Sequence, residues 1–259
     1  MPDSPAVPNY ENTEVEALQA RIAALEAELD AVRRTQAVFA LGLAHDMRTP
    51  LRAVESFSYL LEQRSDQLDA QSRDHLHRIR EASSRMARLL ARLQAWMHVG
   101  TAPMTHADVD LSHLADWCAG ELREASPERE ATIDIAPALH AHGDERLLRT
   151  ALQELLHNAW TYSRPGQPIA IRVDGDRTPE GLHLRIRDEG IGFDPAQAGK
   201  LGEPFQRLHA GDYPDGCGLG LAMARAIAER HGGRLRLVSS AGQGAVAHLF
   251  LPAPEAQPA

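Results

Sequence analysis

His45 stands beside Asp46, with Thr49 one helical turn further on, in the run Ala44-His45-Asp46-Met47-Arg48-Thr49-Pro50-Leu51. A neutral imidazole is a good nucleophile, and an adjacent carboxylate can orient the ring and stabilise the charge that develops on attack. At about 100° per residue, with Leu43 and Met47 taken as core positions, His45 falls opposite their midpoint. Arg48, Thr49 and Arg52 share that outward half, and Asp46 lies on its flank. A merely solvated helix face fits the same pattern, and with thirteen histidines in the chain a surface histidine is ordinary. These residues alone leave both readings open.

A second set could handle phosphate. Asp188-Glu189-Gly190-Ile191-Gly192 follows an apolar alternating run. A carboxylate at a strand end can accept the amino group of a purine, and the glycines let backbone approach closely. Gly216-Cys217-Gly218-Leu219-Gly220 leads into a helical pattern, where free N–H groups and the helix dipole suit phosphate oxygens. It is no lysine-bearing P-loop, since no Gly-Lys-Ser/Thr follows. Glu154 and Asn158 lie four apart, so one helix can turn both toward one ligand. Asn158 offers a hard oxygen for Mg2+, and Glu154 adds charge or polarises a water. Each string is weak alone.

The elements that must position these residues are legible in the apolar pattern. Residues 1–13 are polar and proline-bearing and read as a disordered tail, as do 254–259. Val15, Leu18, Ile22, Leu25, Leu29 and Val32 repeat in steps of three and four, a coiled-coil seam over 14–36. Phe39, Leu43, Met47 and Leu51 follow in fours, a stutter that unwinds the coil locally, with Pro50 favouring a kink. Val54, Ser58 and Leu61 resume the mixed steps. After the polar turn Ser65-Asp66-Gln67, a second stripe runs through Leu76, Ile79, Ser83, Met86, Leu90, Leu93 and Met97. Residues 37–100 therefore form an antiparallel helical hairpin, whose bare stripe calls for a second copy and a four-helix bundle.

Beyond a linker at 101–106 the texture is mixed α/β over 107–253. Asp110 is placed to cap a helix carrying Leu111, Leu114, Cys118 and Leu122, and a longer helix spans about 145–162. Ile169, Ile171 and Val173, then Leu182, Leu184 and Ile186, alternate like a half-buried strand pair. A helix over 218–231 ends at Gly232-Gly233, and Leu235, Leu237, Ala247, Leu249 and Leu251 suggest a closing pair.

Composition excludes several classes. A formal charge of -9 argues against a basic nucleic-acid-binding face. Two cysteines, Cys118 and Cys217, make neither a disulfide scaffold nor a cysteine-based zinc site. The longest run without a polar residue, 37–44, is far below the roughly 20 apolar residues that span a bilayer. With no secretory leader legible at Met1, the expectation is a cytoplasmic protein without membrane insertion.

The run from Ala44 to Leu51 resembles the phosphoacceptor motif of two-component sensor histidine kinases: a histidine, an acidic residue, two variable positions, then threonine, proline, leucine. In order along the rest of the chain, Glu154-Leu155-Leu156-His157-Asn158 resembles the N box of the ATP-binding domain shared with gyrase-type ATPases. Residues 188–192 resemble its first glycine box, Glu203-Pro204-Phe205-Gln206-Arg207-Leu208-His209 the F box, 216–221 the second glycine box and 242–245 the last. Kinases downstream of phytochrome-like sensors are the most similar in flavour.

The resemblance implies an α/β sandwich with a mixed sheet holding ATP and Mg2+. It gives His45 as phosphoacceptor, with Asp46, Thr49 and Glu154 catalytic, and Asn158 with Glu154 at the metal. Asp188 and Tyr162 go to the adenine. Gly190, Gly192, Gly216, Gly218, Leu219 and Gly220 frame the phosphates and a lid over 196–215, with Arg207 beside the nucleotide and Phe205 packing that lid against the bundle. The implied partners are a second copy and a response-regulator receiver domain that takes the phosphoryl group. About 36 residues precede the acceptor hairpin, too few for a sensory domain of about 50 residues or more. Input is therefore expected from an upstream sensor protein or from a sensory domain outside this chain.

The departures matter too. Thr161 stands where the family commonly carries a phosphate-binding lysine, and Arg164, Lys200 and Arg207 are the candidate substitutes. Cys217 replaces a common threonine, and Glu154 stands where gyrase-type enzymes carry their catalytic glutamate. A receiver-docking adaptor with a weakened ATP domain and a gyrase-class ATPase are the alternatives.

Overall fold

The computed structural model describes residues 10–64, 68–206, 208 and 217–254, without side chains at 10–17, 26, 29, 30, 33, 34, 36, 37, 39–41 and 43. Two long helices, α1 (Tyr10–Glu62) and α2 (Ala70–Thr101), pack as a hairpin. Glu62 pairs with Arg80 and Arg48 with Gln94, so the helices run antiparallel. Asp69 caps α2 by accepting the Ser72 amide at 2.7 Å. The turn at 65–67 lies outside the described residues, as do 1–9 of the expected tail. Residues 10–13 are helical instead. The helix also continues through Pro50.

Heptad spacing sorts the hairpin residues into two stripes. Ala44, Leu51 and Ser58 on α1 and Leu76 and Ser83 on α2 are buried between the helices. Met47, Val54 and Leu61, with Ile79 and Met86, remain exposed. Met47 lies about 50° from the buried Ala44–Leu51 line by helical geometry, on the stripe that a single hairpin leaves open.

The second unit follows a short connection. β1 (Ala107–Asp110) and β3 (His140–Gly143) form a small antiparallel pair. The main sheet has the order β2-β4-β5-β7-β6, from β2 (Ala131–Ile135), β4 (Ile169–Thr178), β5 (Gly181–Asp188), β6 (Arg234–Ser239) and β7 (Ala245–Pro252). β2 pairs parallel to β4 and the remaining neighbours are antiparallel, so the sheet is mixed. The helices α3 (Leu111–Ala125), α4 (Glu145–Thr161) and α5 (Gly220–Arg230) supply the facing layer. Alternation turns Ile169, Ile171, Val173, Leu182, Leu184, Ile186, Leu249 and Leu251 inward, against Leu148, Leu152, Leu155 and Ile227 from the helices. This makes an α-plus-β chain: a helical hairpin, then a two-layer α/β sandwich.

Capping fixes where the site-bearing helix starts. Asp144 is buried and accepts the Arg146 and Leu147 amides at 3.1 and 3.2 Å and the Thr105 amide at 2.8 Å. Its own N–H donates to His231 Nε2 at 3.0 Å. Burial would raise the Asp144 carboxyl, but Arg146 and these amides outweigh it and hold the group far below the usual carboxylate range. Arg230 at the end of α5 donates to the Val99 and Ala102 carbonyls at the end of α2, so the connection between the units is tied at both sides.

Candidate functional site

The His45 side chain is 75% exposed and that of Asp46 83%. His45 Nδ1 lies 3.3 Å from Asp46 Oδ1. An anionic carboxylate only accepts, so the pairing puts the ring proton on Nδ1 and leaves the Nε2 lone pair facing outward. Thr49 is exposed one turn further on. Arg48 on the neighbouring face is anchored to Gln94 of α2, which fixes α1 beneath the histidine. The outward placement derived from helical geometry holds.

The second site is a cavity of about 1060 Å³, ample for a nucleotide. Its lining includes Asn158 and Tyr162 from α4, Asp188 at the end of β5, and Gly192, Gly218 and Gly220. Asp188 Oδ1 accepts the Gly190 amide at 2.9 Å and the Ala245 amide at 3.1 Å. The other oxygen has no hydrogen-bond partner among the described residues, and an exocyclic amine is the donor it suits. Burial pushes the Asp188 carboxyl up, and the two amides pull it part of the way back. Gly192 adopts φ +63°, and a Cβ there would meet the Ser240 carbonyl at 2.3 Å, so only glycine closes this wall. Tyr162 ends α4, and its carbonyl accepts the Ile191 amide at 2.9 Å.

At the opposite end α5 begins after Leu219, which is fully buried and offers no side-chain cap to the first turn. Uncapped amides at a helix start suit phosphate oxygens. Asn158 lines the cavity, and its Nδ2 is buried without a hydrogen-bond partner. Such an orphan is what a bound polar ligand satisfies. Among the described residues no group of three or more His, Cys, Asp or Glu could hold a metal by itself. Mg2+ characteristically binds through one or two protein ligands plus substrate phosphates; the orphaned Nδ2 is a donor that suits a phosphate oxygen, and Asn158 Oδ1 is the atom that could face the ion.

Glu154 departs from expectation. It is 8% exposed, and both its carboxylate oxygens accept from Arg92 Nη2 of α2, at 2.8 and 2.9 Å. A Cβ on Gly220 would meet Glu154 Oε2 at 2.4 Å, so α5 closes over it. Glu154 is not among the cavity-lining residues while Asn158 is; the two do not face one ligand here, because the Arg92 guanidinium neutralises the buried carboxylate first. Burial pushes Glu154 up, and Arg92 opposes that.

Phe205 also departs. It is 58% exposed and at φ +66°, its amide donating to the Gly218 carbonyl at 2.9 Å. A backbone bond rather than ring packing ties this segment, and the side chain does not fasten a lid to the bundle. Arg207, Gly216 and residues 209–215 of the lid expected over 196–215 lie outside the described residues.

Thr161 lines the cavity, with Oγ1 3.4 Å from His157 Nδ1. Arg164 instead ties the first glycine box to the last, donating to the Gly190 carbonyl at 3.3 Å and the Gly242 carbonyl at 2.6 Å. Neither Arg164 nor Lys200 lines the cavity. Sequence reasoning missed Arg92; the available signal was Arg85, Arg88 and Arg92 at helical spacing beside the apolar stripe of α2.

Comparison with known proteins bears on both sites. Residues 35–96 match the His Kinase A (phospho-acceptor) domain, and 143–255 match the histidine kinase-, DNA gyrase B- and HSP90-like ATPase. Cyanobacterial phytochrome A of Nostoc sp. is 31% identical over 83% of this chain and 28% of its own length. The phosphate regulon sensor protein PhoR of Pseudomonas aeruginosa is 29% identical over 80% of this chain and 47% of its own. The chain thus spans about a quarter to a half of these relatives. Full-length ShkA, solved in complex with AMPPNP, shares the fold with a TM-score of 0.63 at 24% identity, over 83% of this chain and 46% of that one.

Proposed function

The chain belongs to the two-component sensor histidine kinases, and from that premise we propose that it transfers the γ-phosphoryl group of ATP to His45 and then to an aspartate of a response-regulator receiver domain. The observation that carries the reading is the pairing of an outward imidazole, polarised by its own carboxylate, with a cavity whose half-satisfied aspartate and orphaned asparagine suit a nucleotide.

In this reading Asp188 accepts from the adenine amino group, and Tyr162 lies beside the ring. The amides after Gly218 hold the phosphates, and Asn158 meets the magnesium ion. Magnesium, when bound, neutralises charge on the phosphate oxygens. His45 Nε2 attacks the γ-phosphorus in line as its bond to the ADP oxygen breaks, and the positive charge on the ring is stabilised where Nδ1–H faces Asp46. Asp46 and Thr49 also stand where they would position a water to dephosphorylate the receiver.

His45 does not line the cavity. Transfer therefore requires the ATP domain to leave its present seat on α2, or a second copy to bring its own cavity to the histidine. The exposed stripe of Met47, Val54, Leu61, Ile79 and Met86 supports a homodimer closing a four-helix bundle, and exposed Leu18, Ile22, Leu25 and Val32 support its continuation as a coiled coil. No described helix is long and apolar enough to cross a membrane. We place both domains in the cytoplasm, with input arriving along α1 from a sensor.

Incubation with radiolabelled ATP tests the reading. Wild type is expected to gain acid-labile label, His45→Gln to gain none while still binding ATP, and Asn158→Ala to lose both. Label persisting on His45→Gln would refute the assignment. Steady phosphate release independent of His45 would favour an ATPase instead.

A further inference from the structure

We propose that Arg164 sets the adenine selectivity of the cavity from behind its wall, as a positioning residue that holds the two glycine loops orienting the Asp188 carboxylate. This rests on the ATP-binding reading above and adds one residue to its base contact.

The local sequence fixes where Arg164 starts. α4 ends at Thr161, and Ser163 is buried, donating to the Trp160 carbonyl at 2.9 Å. Pro165 and Gly166 follow. Gly166 adopts φ +73°, and the Gln167 amide donates to the Arg164 carbonyl at 3.3 Å, as in a type II turn with proline first and glycine second. The Arg164 backbone is thus set between a helix end and a closed turn, and its side chain stands outside the cavity lining.

Two groups join the same two loops from opposite sides. From within, Asp188 Oδ1 accepts the Gly190 amide at 2.9 Å and the Ala245 amide at 3.1 Å. From outside, Arg164 Nε donates to the Gly190 carbonyl at 3.3 Å and Nη2 to the Gly242 carbonyl at 2.6 Å. Nε and Nη2 share one edge of the planar guanidinium, so a single fork meets both carbonyls. The Gly242 amide donates to the Ile191 carbonyl at 2.7 Å, which commits both of its backbone groups to this junction. Backbone lies directly on backbone here: a Cβ on Gly244 would strike the Asp188 carbonyl, and one on Gly190 the Tyr162 carbonyl. Gly242 and Gly244 both adopt positive φ, +72° and +75°, so the last turn is built from residues with the most backbone freedom to lose. Arg164 holds that turn in place.

Selectivity follows from direction. The second Asp188 oxygen is the one that meets the exocyclic amine, and the two amides on Oδ1 decide where it points. A hydrogen bond weakens steeply as its angle departs from linear, and a purine with a carbonyl in place of the amine sets an acceptor against an acceptor. Arg164 makes no hydrogen bond to Asp188 itself. Burial first, then the Gly190 and Ala245 amides, set that carboxyl's proton affinity. Arg164 therefore acts through the geometry of Gly190 and Gly242.

The test is calorimetric titration of the full chain with ATP and with inosine triphosphate, which carries a carbonyl where ATP has the amine, in magnesium buffer. Wild type is expected to prefer ATP. Arg164→Ala is expected to weaken ATP about 10-fold and inosine triphosphate by under about twofold, the latter showing that the fold is intact. Arg164→Lys, which keeps a donor but not the fork, is expected to recover part of the preference. Arg164→Ala added to Asp188→Ala is expected to change the preference no further than Asp188→Ala alone, because the two residues act on one contact. Equal weakening of both nucleotides in Arg164→Ala, or preference losses that simply add in the double variant, would overturn the proposal. Should the alanine variant bind neither nucleotide, a lysine variant with wild-type preference at lower affinity for both would overturn it too. A wild type that binds the two equally would remove the base contact and the proposal with it, and one that binds neither would overturn the ATP-binding reading itself.

Discussion

The hairpin and the ATP domain bury apolar residues to very different degrees. In the ATP domain, three helices and a five-stranded sheet share one continuous core, with Leu148, Leu152, Leu156, Ile169, Val173, Ile227 and Leu251 almost wholly enclosed. The hairpin encloses Ala44, Leu51, Ser58, Leu76 and Ser83 while Met47, Phe57, Leu60, Leu61, Ile79 and Met86 stay open. One region is a finished fold around a cavity. The other leaves a second apolar stripe open, and it carries His45 on its exposed surface.

That contrast can be broken first in the finished half. Leu152→Ala removes a fully buried side chain from the α4 layer and is expected to cost about 2–5 kcal/mol, read as a lower denaturation midpoint at any protein concentration. A loss that depended on concentration would mean the ATP domain is not self-sufficient.

Asp144→Ala removes the α4 cap and leaves the Thr105 amide unmet, for about 2–4 kcal/mol. The Asp144 carboxyl sits below its unfolded value, so its contribution is complete above the ordinary carboxylate range and fades as pH falls through the lower folded value. The variant's deficit should therefore shrink in acid; a deficit constant from pH 7 to pH 2 would contradict this role.

Asp188→Asn separates ligand from fold. Adenine nucleotide binding is expected to weaken by about 1.5–3 kcal/mol, because the acceptor loses its charge. Burial raises the Asp188 carboxyl, so the folded state holds that proton more tightly than the unfolded one. Its ionisation then costs stability above the ordinary carboxylate range, and the cost disappears in acid. The variant should melt no lower than wild type at pH 7, with any gain vanishing in acid. A variant that melts lower at pH 7 yet binds nucleotide normally would reverse both signs.

The smallest effect belongs to the open half. Met47→Ala is expected to change monomer stability by under about 0.5 kcal/mol, yet to weaken self-association in sedimentation. Unchanged association would exclude this stripe from the dimer interface.

Much of the ATP domain was legible because its periodicity is local: Ile169, Ile171 and Val173 alternate, and Asp110 caps where a cap residue should. β1, β2 and β3 were not legible, being four or five residues long and half-exposed along alternate positions. A four-residue step such as Leu43–Met47 does not say which of two adjacent stripes faces the other helix of the hairpin and which stays open. The Arg92–Glu154 pair joins residues 62 positions apart, which no local pattern encodes. Phe205 was misread because a left-handed backbone at a bulky residue is set by its tertiary tie to Gly218.

The most direct measurement is phosphorus NMR of the full chain after incubation with magnesium and ATP, at alkaline pH where phosphohistidine survives. A phosphoramidate resonance that is absent from His45→Asn and disappears on acidification is the predicted result. A signal from an acid-stable phosphoester, or a phosphoramidate unchanged in His45→Asn, would contradict the assignment of His45 as the group that receives the phosphoryl.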